Sequence, residues 1–357
     1  MFRLEARPHP SAAMLLATPL LAVVLTLAAG VALFAVLGFN PWQALAAFFV
    51  KPLSSAYGLA ELAVKATPLV LCAIGLTVGF RANVWNIGAE GQLTMGAIAG
   101  SGVALFLRPD DGAVWVLPAM FVAGALGGMA WAAVPAFLKT RFNASEILTS
   151  LMLTYVAQLF LNYLVHGPWR DPDGFNFPQS RMFEADSIID PLIAGTRLGM
   201  GAVLALAVAL GGWFLLSRTF LGFQIKVIGL TTAAAGYAGF NQRRVTWLSL
   251  LLSGALAGVA GLNEVAGPIG QLVPQISPGY GFTAIIVAFL GRLHPAGILL
   301  AALLVALSYI GGESAQISMG LPVAVTGVFQ GMLLFFLLAA EVLVRYRIRW
   351  GRKRAEG

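Results

Sequence analysis

Phe80-Arg81-Ala82-Asn83-Val84-Trp85-Asn86-Ile87-Gly88-Ala89-Glu90-Gly91-Gln92-Leu93 lies between two long apolar runs and places Arg81, Asn83, Asn86, Glu90 and Gln92 within twelve positions. An apolar interior does not hold that density of polar groups unless each finds a partner. At membrane depth such groups persist where they pair or line a cavity. The stretch reads as a corner on the cytoplasmic side, and two accounts of it are open. In the first, Asn86 caps the helix that follows and Glu90 sits in its first turn, where the helix dipole favours a carboxylate. In the second, Asn86, Glu90 and Gln92 line a passage, and the glycines on either side of Glu90 let backbone or ligand come close.

The rest of the chain sets the context. Of its 357 residues 59% are hydrophobic and 10% charged, with a mean hydropathy of +0.85. A soluble domain carries about 25% charged residues, so the composition specifies an integral membrane protein. The formal net charge of +7 does not point to nucleic acid, because the basic residues fall between or beyond the apolar runs. Six of them (Arg345, Arg347, Arg349, Arg352, Lys353, Arg354) form a tail over 345–357 suited to anionic lipid or a partner. Cys72, the one cysteine, lies within an apolar run and reads as a small buried hydrophobe.

Ten spans are expected in an all-α polytopic fold with both termini inside, the whole chain 1–357 forming one transmembrane domain. They run from 14–39, 57–80, 87–107, 113–138, 147–165, 199–216, 245–266, 282–290, 295–310 and 322–344. The eighth is too short to cross alone as a regular helix. It is either extended by the Gly/Pro-rich link before it or a broken half-helix of the kind that borders binding sites. Glu61 and Lys65, four residues apart in the second span, suit a pair on one helical face. The fourth span carries Gly124, Gly127 and Gly128, which allow close helix approach. On this topology sixteen of the basic residues are inside and five outside, as the positive-inside rule requires. Arg108 to Gly112 is a short outside turn, Gly311 to Leu321 an outside link, and residues 166–198 a long outside loop suited to partner contact or a lid.

Signals for catalysis are poor. His9, His166 and His294 are far apart and share no metal-ligand spacing, and no serine stands in a nucleophile elbow. No lysine follows a glycine, so the chain has no Walker A loop. A transport passage is the default for such a bundle, and if ATP drives it another chain must bind the nucleotide. The inside loop 226–244 is long enough for a short helix along the membrane face, with Tyr237 and Phe240 projecting from one side. It either rests on lipid or fits a partner's groove.

Three stretches carry a resemblance: Asn86-Ile87-Gly88-Ala89-Glu90-Gly91-Gln92; the loop Gly229 to Gly239 ending in Tyr237-Ala238-Gly239; and Gly281-Phe282-Thr283-Ala284-Ile285 leading to Leu290-Gly291-Arg292-Leu293. Together with the order of spans they make the chain similar to the permease subunits of bacterial ABC importers for branched-chain amino acids, simple sugars and nucleosides, and most like the nucleoside branch. The resemblance implies a multi-pass subunit of the inner membrane working with a second permease chain, cytoplasmic ATPase subunits and an extracytoplasmic substrate-binding protein. This chain would bind no metal or cofactor and would carry no catalytic residue, with ATP and magnesium held by the ATPase. Gly229, Ala234, Ala235, Tyr237, Ala238, Gly239 and Phe240 would form the coupling helix seated on that ATPase, and Asn86, Glu90, Gln92 and Asn263 are the candidates for the substrate pathway. The chain departs from the family pattern at Thr231, Thr232 and Gly236, where relatives often carry a polar residue, a proline and an arginine. The rival class is an ion-coupled secondary transporter, which would need no ATPase.

Overall fold

The computed structural model describes residues 2–6, 12–106 and 114–350, with side chains over 17–106 and 114–340 except Pro19 and Thr326. The turn expected at Arg108 to Gly112, Arg7, and Arg352, Lys353 and Arg354 of the tail lie outside the described residues. In chain order the elements are β1 (Phe2–Ala6), α1 (Ala12–Val36), α2 (Pro41–Leu45), α3 (Ala56–Arg81), α4 (Ala89–Phe106), α5 (Val116–Phe142), α6 (Glu146–His166), α7 (Gly201–Arg218), α8 (Phe220–Leu230), α9 (Thr232–Tyr237), α10 (Gln242–Glu264), α11 (Tyr280–Leu290), α12 (Pro295–Met319), α13 (Ala324–Arg345) and β2 (Tyr346–Trp350). Residues 56–306 form one compact unit, and residues 1–55 with 307–357 form another.

Six helices among the described residues are long and apolar enough to cross a membrane: α3, α5, α6, α7, α10 with the turn after it, and α12. The other expected spans map onto helices as well. In α4 the leading turn carries Glu90 and Gln92, which lower its hydropathy, and the eighth span is the 11-residue α11. Eleven residues rise about 16 Å, half the hydrocarbon core. Two boundaries differ from expectation. Residues 311–319, expected as an outside link, continue α12, and the basic segment 218–244 contains α8, whose Ile225 and Ile228 are buried. Thr219 starts α8 by accepting the Gly222 N–H at 3.1 Å.

Within the unit 56–306, α3 is the centre. From Ala66 to Phe80 every residue is buried, as befits a helix apolar on all sides. Thr67 and Thr77 turn their hydroxyls back onto the carbonyls of Ala63 and Ala73, each at 2.8 Å, and so bury no unpaired donor. Beside it α4, α5 and α10 meet through glycine. A Cβ on Gly96 would lie 2.1 Å from Gly258 Cα, and one on Gly128 would lie 2.0 Å from the Gly254 carbonyl oxygen. In lipid, where apolar burial between helices gains little, such backbone proximity supplies dispersion contact.

In the other unit α1 packs against α13. Phe329 stacks on Phe34 at 5.4 Å and on Phe48 at 5.0 Å between ring centroids, within a buried cluster that includes Ala315 and Val325. β1 and β2 pair antiparallel, Phe2 opposite Trp350, which puts the two ends of the described chain side by side.

Candidate functional site

α3 ends at Arg81, and Asn83 adopts a left-handed conformation (φ 57°) that reverses the chain. Val84 to Gly88 then runs back into the bundle without forming helix. The turn itself is brief, and α4 starts inside the bundle rather than at its face. Its neighbours fix the depth: Asn86 bonds Ser253, midway along α10, and Gly91 packs on Thr154 of α6. This corrects the expectation of a polar corner at the cytoplasmic surface. Asn86, Glu90 and Gln92 are interior groups, each no more than 2% exposed.

Non-helical backbone at that depth has to be satisfied by protein, and side chains satisfy it here. Asn86 and Gln92 exchange amide hydrogen bonds: Asn86 Nδ2 donates to Gln92 Oε1 at 2.8 Å, and Gln92 Nε2 donates to Asn86 Oδ1 at 3.1 Å. Asn86 Nδ2 also donates to Ser253 Oγ at 2.9 Å, while Asn86 Oδ1 accepts the Gly88 N–H at 3.0 Å. The Ile87 N–H goes to Ser150 Oγ of α6 at 3.1 Å. Three elements are thus tied to one unwound segment by neutral hydrogen bonds.

Glu90 extends the tie to α11. Its Oε2 accepts the Gly281 N–H at 2.7 Å, and the Ser277 hydroxyl and Gly279 amide lie close enough to favour the carboxylate. The first N–H groups of a helix have no intrahelical partner, so Glu90 supplies what the start of α11 lacks, and the dipole there favours its charge. Ser277 Oγ completes the cap by accepting the Tyr280 N–H at 2.8 Å. Glycine is required at 281, since a Cβ there would sit 2.2 Å from the Glu90 backbone nitrogen. α4 and α11 are therefore two broken helices whose N-terminal ends meet inside the bundle. Of the two forms left open for the eighth span, the structure shows the half-helix.

The reversal is fastened to the far end of α11. Trp85 stacks on Phe289 at 5.8 Å, Phe80 stacks on Phe289 at 5.1 Å, and Arg81 Nε donates to the Leu293 carbonyl at 2.9 Å. That bond holds a turn in which Arg292 and Leu293 both have positive φ (55° and 54°), a conformation unusual for side chains of this size. α8 and α9 lean on the same place. A Cβ on Gly229 would lie 1.9 Å from the Arg81 carbonyl oxygen, and Ala235 of α9 is buried in one cluster with Ala82 and Val84. Beyond it Tyr237 is 96% exposed, at the tip of α9, and Gly239 (φ 75°) ends the loop with Ala238. Ala234 is exposed on α9 beside them. Phe240 does not project next to Tyr237: it folds back edge-on against Phe220 and Phe223 at 5.8 and 6.1 Å.

A second polar region lies at the opposite end of α3. Glu61 is paired with Arg197 from the end of the long loop, through Arg197 Nε on Oε1 at 3.0 Å and Arg197 Nη2 on Oε2. An arginine fork matches both carboxylate oxygens at once, which a lysine four residues away cannot do. Lys65 and Arg197 both act electrostatically on the buried Glu264, whose Oε1 has no hydrogen-bond partner among the described residues. Next to it Asn263 lines a narrow cleft with Thr67, Arg197, Gly199 and Gly201. Asn263 is buried there, its amide packed against Gly201. The loop is also stitched to the segment after α10: Ser180 N–H donates to the Leu272 carbonyl, and Leu272 N–H donates to Ser180 Oγ, both at 2.9 Å.

Sequence reasoning singles out Asn86, Glu90 and Gln92 and misses the partners that other elements bring to this arrangement. Ser150, Ser253, Ser277 and Arg197 were not selected, and the available signal was hydroxyls recurring within apolar spans, such as Ser249 with Ser253 and Ser150 with Thr154. Among the described residues no group of three His, Cys, Asp or Glu is placed to hold a metal. What the arrangement offers is a mechanical linkage from an exposed aromatic tip to two half-helices.

A bundle of this form, with broken helices meeting inside it, defines a multi-pass membrane protein of the transporter class. Residues 58–338 match the family described as the permease component of the branched-chain amino acid transport system, and the chain belongs to that family. It is 37% identical over 342 residues to the glucose ABC transporter permease protein of Haloferax volcanii, covering 93% of this chain and 89% of the relative. It is 30% identical over 337 residues to the guanosine ABC transporter permease protein of Bacillus subtilis, covering 93% and 95%. A solved structure described as an inward-facing ABC transporter of metal-chelate type shares the fold, with a TM-score of 0.50 over 92% of this chain and 99% of that one at 17% identity. The chain is accordingly the membrane component of a transport system and not its catalytic part.

Proposed function

We propose that this chain forms, with a second permease chain, the passage of an ATP-driven importer for a nucleoside or a simple sugar. On this reading the ten spans expected from the sequence hold, with 1–357 acting as one permease domain and both termini in the cytoplasm. The relatives named for guanosine and for glucose support a cargo that carries a sugar ring. Higher identity favours the second relative's chemistry less than the first, whereas the Asn86 to Gln92 stretch resembles the nucleoside branch.

The observation that carries the reading is the contact between α9 and the reversal at Ala82 and Val84, which connects Tyr237 at the surface to the Asn86 network inside. Cytoplasmic ATPase subunits, holding ATP and magnesium, would press on α9 around Tyr237. The movement would pass through Gly229 and Arg81 to the two half-helices and change which side of the bundle is open. Asn86, Glu90 and Gln92 would serve the pathway by holding it in shape, and Asn263 would meet cargo where it lines the cleft beside Arg197. The loop 166–198, with Phe175 and Phe177 exposed, would receive a substrate-binding protein. This chain itself would bind no cofactor.

The test is uptake of labelled guanosine, in competition with glucose and leucine, in cells carrying this chain with its ATPase and binding protein. Uptake should stop when the ATPase is inactivated, and either guanosine or glucose should compete while leucine does not. Persistence of uptake with a dead ATPase would sink the reading. Tyr237→Ala should leave the melting temperature unchanged and reduce uptake at least about tenfold, since one buried aromatic at an interface contributes about 2 kcal/mol or more.

A further inference from the structure

Where α5 ends and α10 begins, the bundle has an open pocket of about 330 Å³ lined by Lys139, Thr140, Arg141, Asn143, Gln242 and Arg243. Its charge is one-sided. Lys139 is neutralised by Glu146, with Nζ to Oε2 at 2.9 Å, whereas Arg141 and Arg243 have no acidic partner among the described residues. Two guanidiniums thus line a concave site without an acidic partner of their own among the described residues. The donors around them share that polarity. Gln242 and Arg243 are the first two residues of the 23-residue α10, and only the third N–H, that of Arg244, is taken by the Asn241 cap at 3.1 Å. The N–H groups of Gln242 and Arg243 therefore belong to the set that no helix satisfies internally.

The wall is rigid. Trp247 Nε1 donates to Thr140 Oγ1 at 3.0 Å, and Thr140 Oγ1 donates to the Ala136 carbonyl at 2.8 Å, which locks α5 against α10 under the pocket. The flank of α5 leading away from it is apolar and uncovered. Phe137 is 50% exposed and Phe142 66% exposed, their rings edge to face at 5.8 Å. A cationic pocket at the ends of two membrane-crossing helices, continuous with an exposed aromatic flank, fits an amphiphile: phosphate in the pocket and acyl chain along α5.

We propose that this pocket binds the phosphate-bearing headgroup of an anionic membrane phospholipid. Arg141 and Arg243 clasp the phosphate by paired N–H donation, and Asn143 and Gln242 hydrogen-bond the glycerol or headgroup oxygens. The site ties α5 to α10, the two helices that carry the glycine contacts of the core, so its occupation stiffens the bundle at that face.

The test uses the full-length chain, purified in detergent with the subunits that accompany it, and follows tryptophan fluorescence on heating. Phosphatidylglycerol should raise the melting temperature in a saturable manner, while phosphatidylcholine should not. In the Arg141→Gln, Arg243→Gln double variant the half-saturating phosphatidylglycerol concentration should rise about thirtyfold, from the loss of two basic contacts. Lys226→Gln, a basic change elsewhere on the same face, should leave it unchanged. If inorganic phosphate stabilises the protein as well as the lipid does and competes with it, the pocket takes a free anion and the lipid source is overturned. Equal response to both lipids, or a double variant that binds phosphatidylglycerol like the parent, overturns the site. So does a double variant that keeps its lipid response and loses the ATPase subunits on purification, because the pocket would then be a protein contact.

Discussion

The Asn86–Gln92 network and the Glu61–Arg197 clamp are both polar and both attached to α3 or the segment that continues it, yet they are built differently. The first uses neutral amides and hydroxyls in which every named group has a partner within 3.1 Å. The second uses full charges, with the arginine side chain 47% exposed, the glutamate 8% exposed, and Glu264 Oε1 left open nearby. A closed neutral network is costly to alter at any point, because each lost partner strands another group away from water. A half-exposed ion pair can exchange its partner for water at modest cost. The difference suits one region to hold two broken helices in fixed register and the other to fasten a loop that can be released.

The largest effect should come from the steric limit of the first region. Gly281→Val places a side chain against the Glu90 backbone, which has no room to withdraw, and the variant should give no monodisperse protein on size exclusion. Asn86→Leu comes next. It strands the Gln92 amide, the Ser253 hydroxyl and the Gly88 N–H, and at about 1–3 kcal/mol for each buried unsatisfied group the loss should be at least about 3 kcal/mol, read as a fall in melting temperature. Arg197→Met should cost less, about 1–2 kcal/mol. That lies between the about 3–5 kcal/mol of a fully buried broken pair and the 0–1 kcal/mol of an exposed one, as the half-exposed arginine warrants. Adding Glu61→Gln to Arg197→Met should recover most of that loss, and a double-mutant cycle showing no coupling would mean that the clamp does not hold the loop.

The same contrast explains what could be read in the sequence. The apolar runs gave the helices, because length and composition alone decide which segments can lie in a bilayer, and the Asn-Ile-Gly-Ala-Glu-Gly-Gln stretch gave the family. Its position was misread. Polar density between two apolar runs looks the same whether the chain turns at the membrane face or turns early and re-enters unwound, and only Ser150 and Ser253 on other helices reveal which. Nor does local spacing reach Arg197, the bidentate partner of Glu61, which lies 136 residues away. Phe240 was placed with Tyr237 by helical spacing, but α9 ends at Tyr237, so the spacing no longer applies. Periodicity speaks for residues within one element, and the site here is made between elements.

The most direct measurement is uptake by Glu90→Gln, with the melting temperature taken on the same preparation. The glutamine keeps an oxygen for the Gly281 N–H, loses the charge and replaces the second oxygen with an amide donor. If Glu90 acts by joining α4 to α11, stability should fall by about 1 kcal/mol, the difference between a charged and a neutral hydrogen bond, and uptake should stay within about threefold of the parent. Uptake abolished at an unchanged melting temperature would show that the passage needs the charge itself, and the account of this network as a structural joint would be wrong.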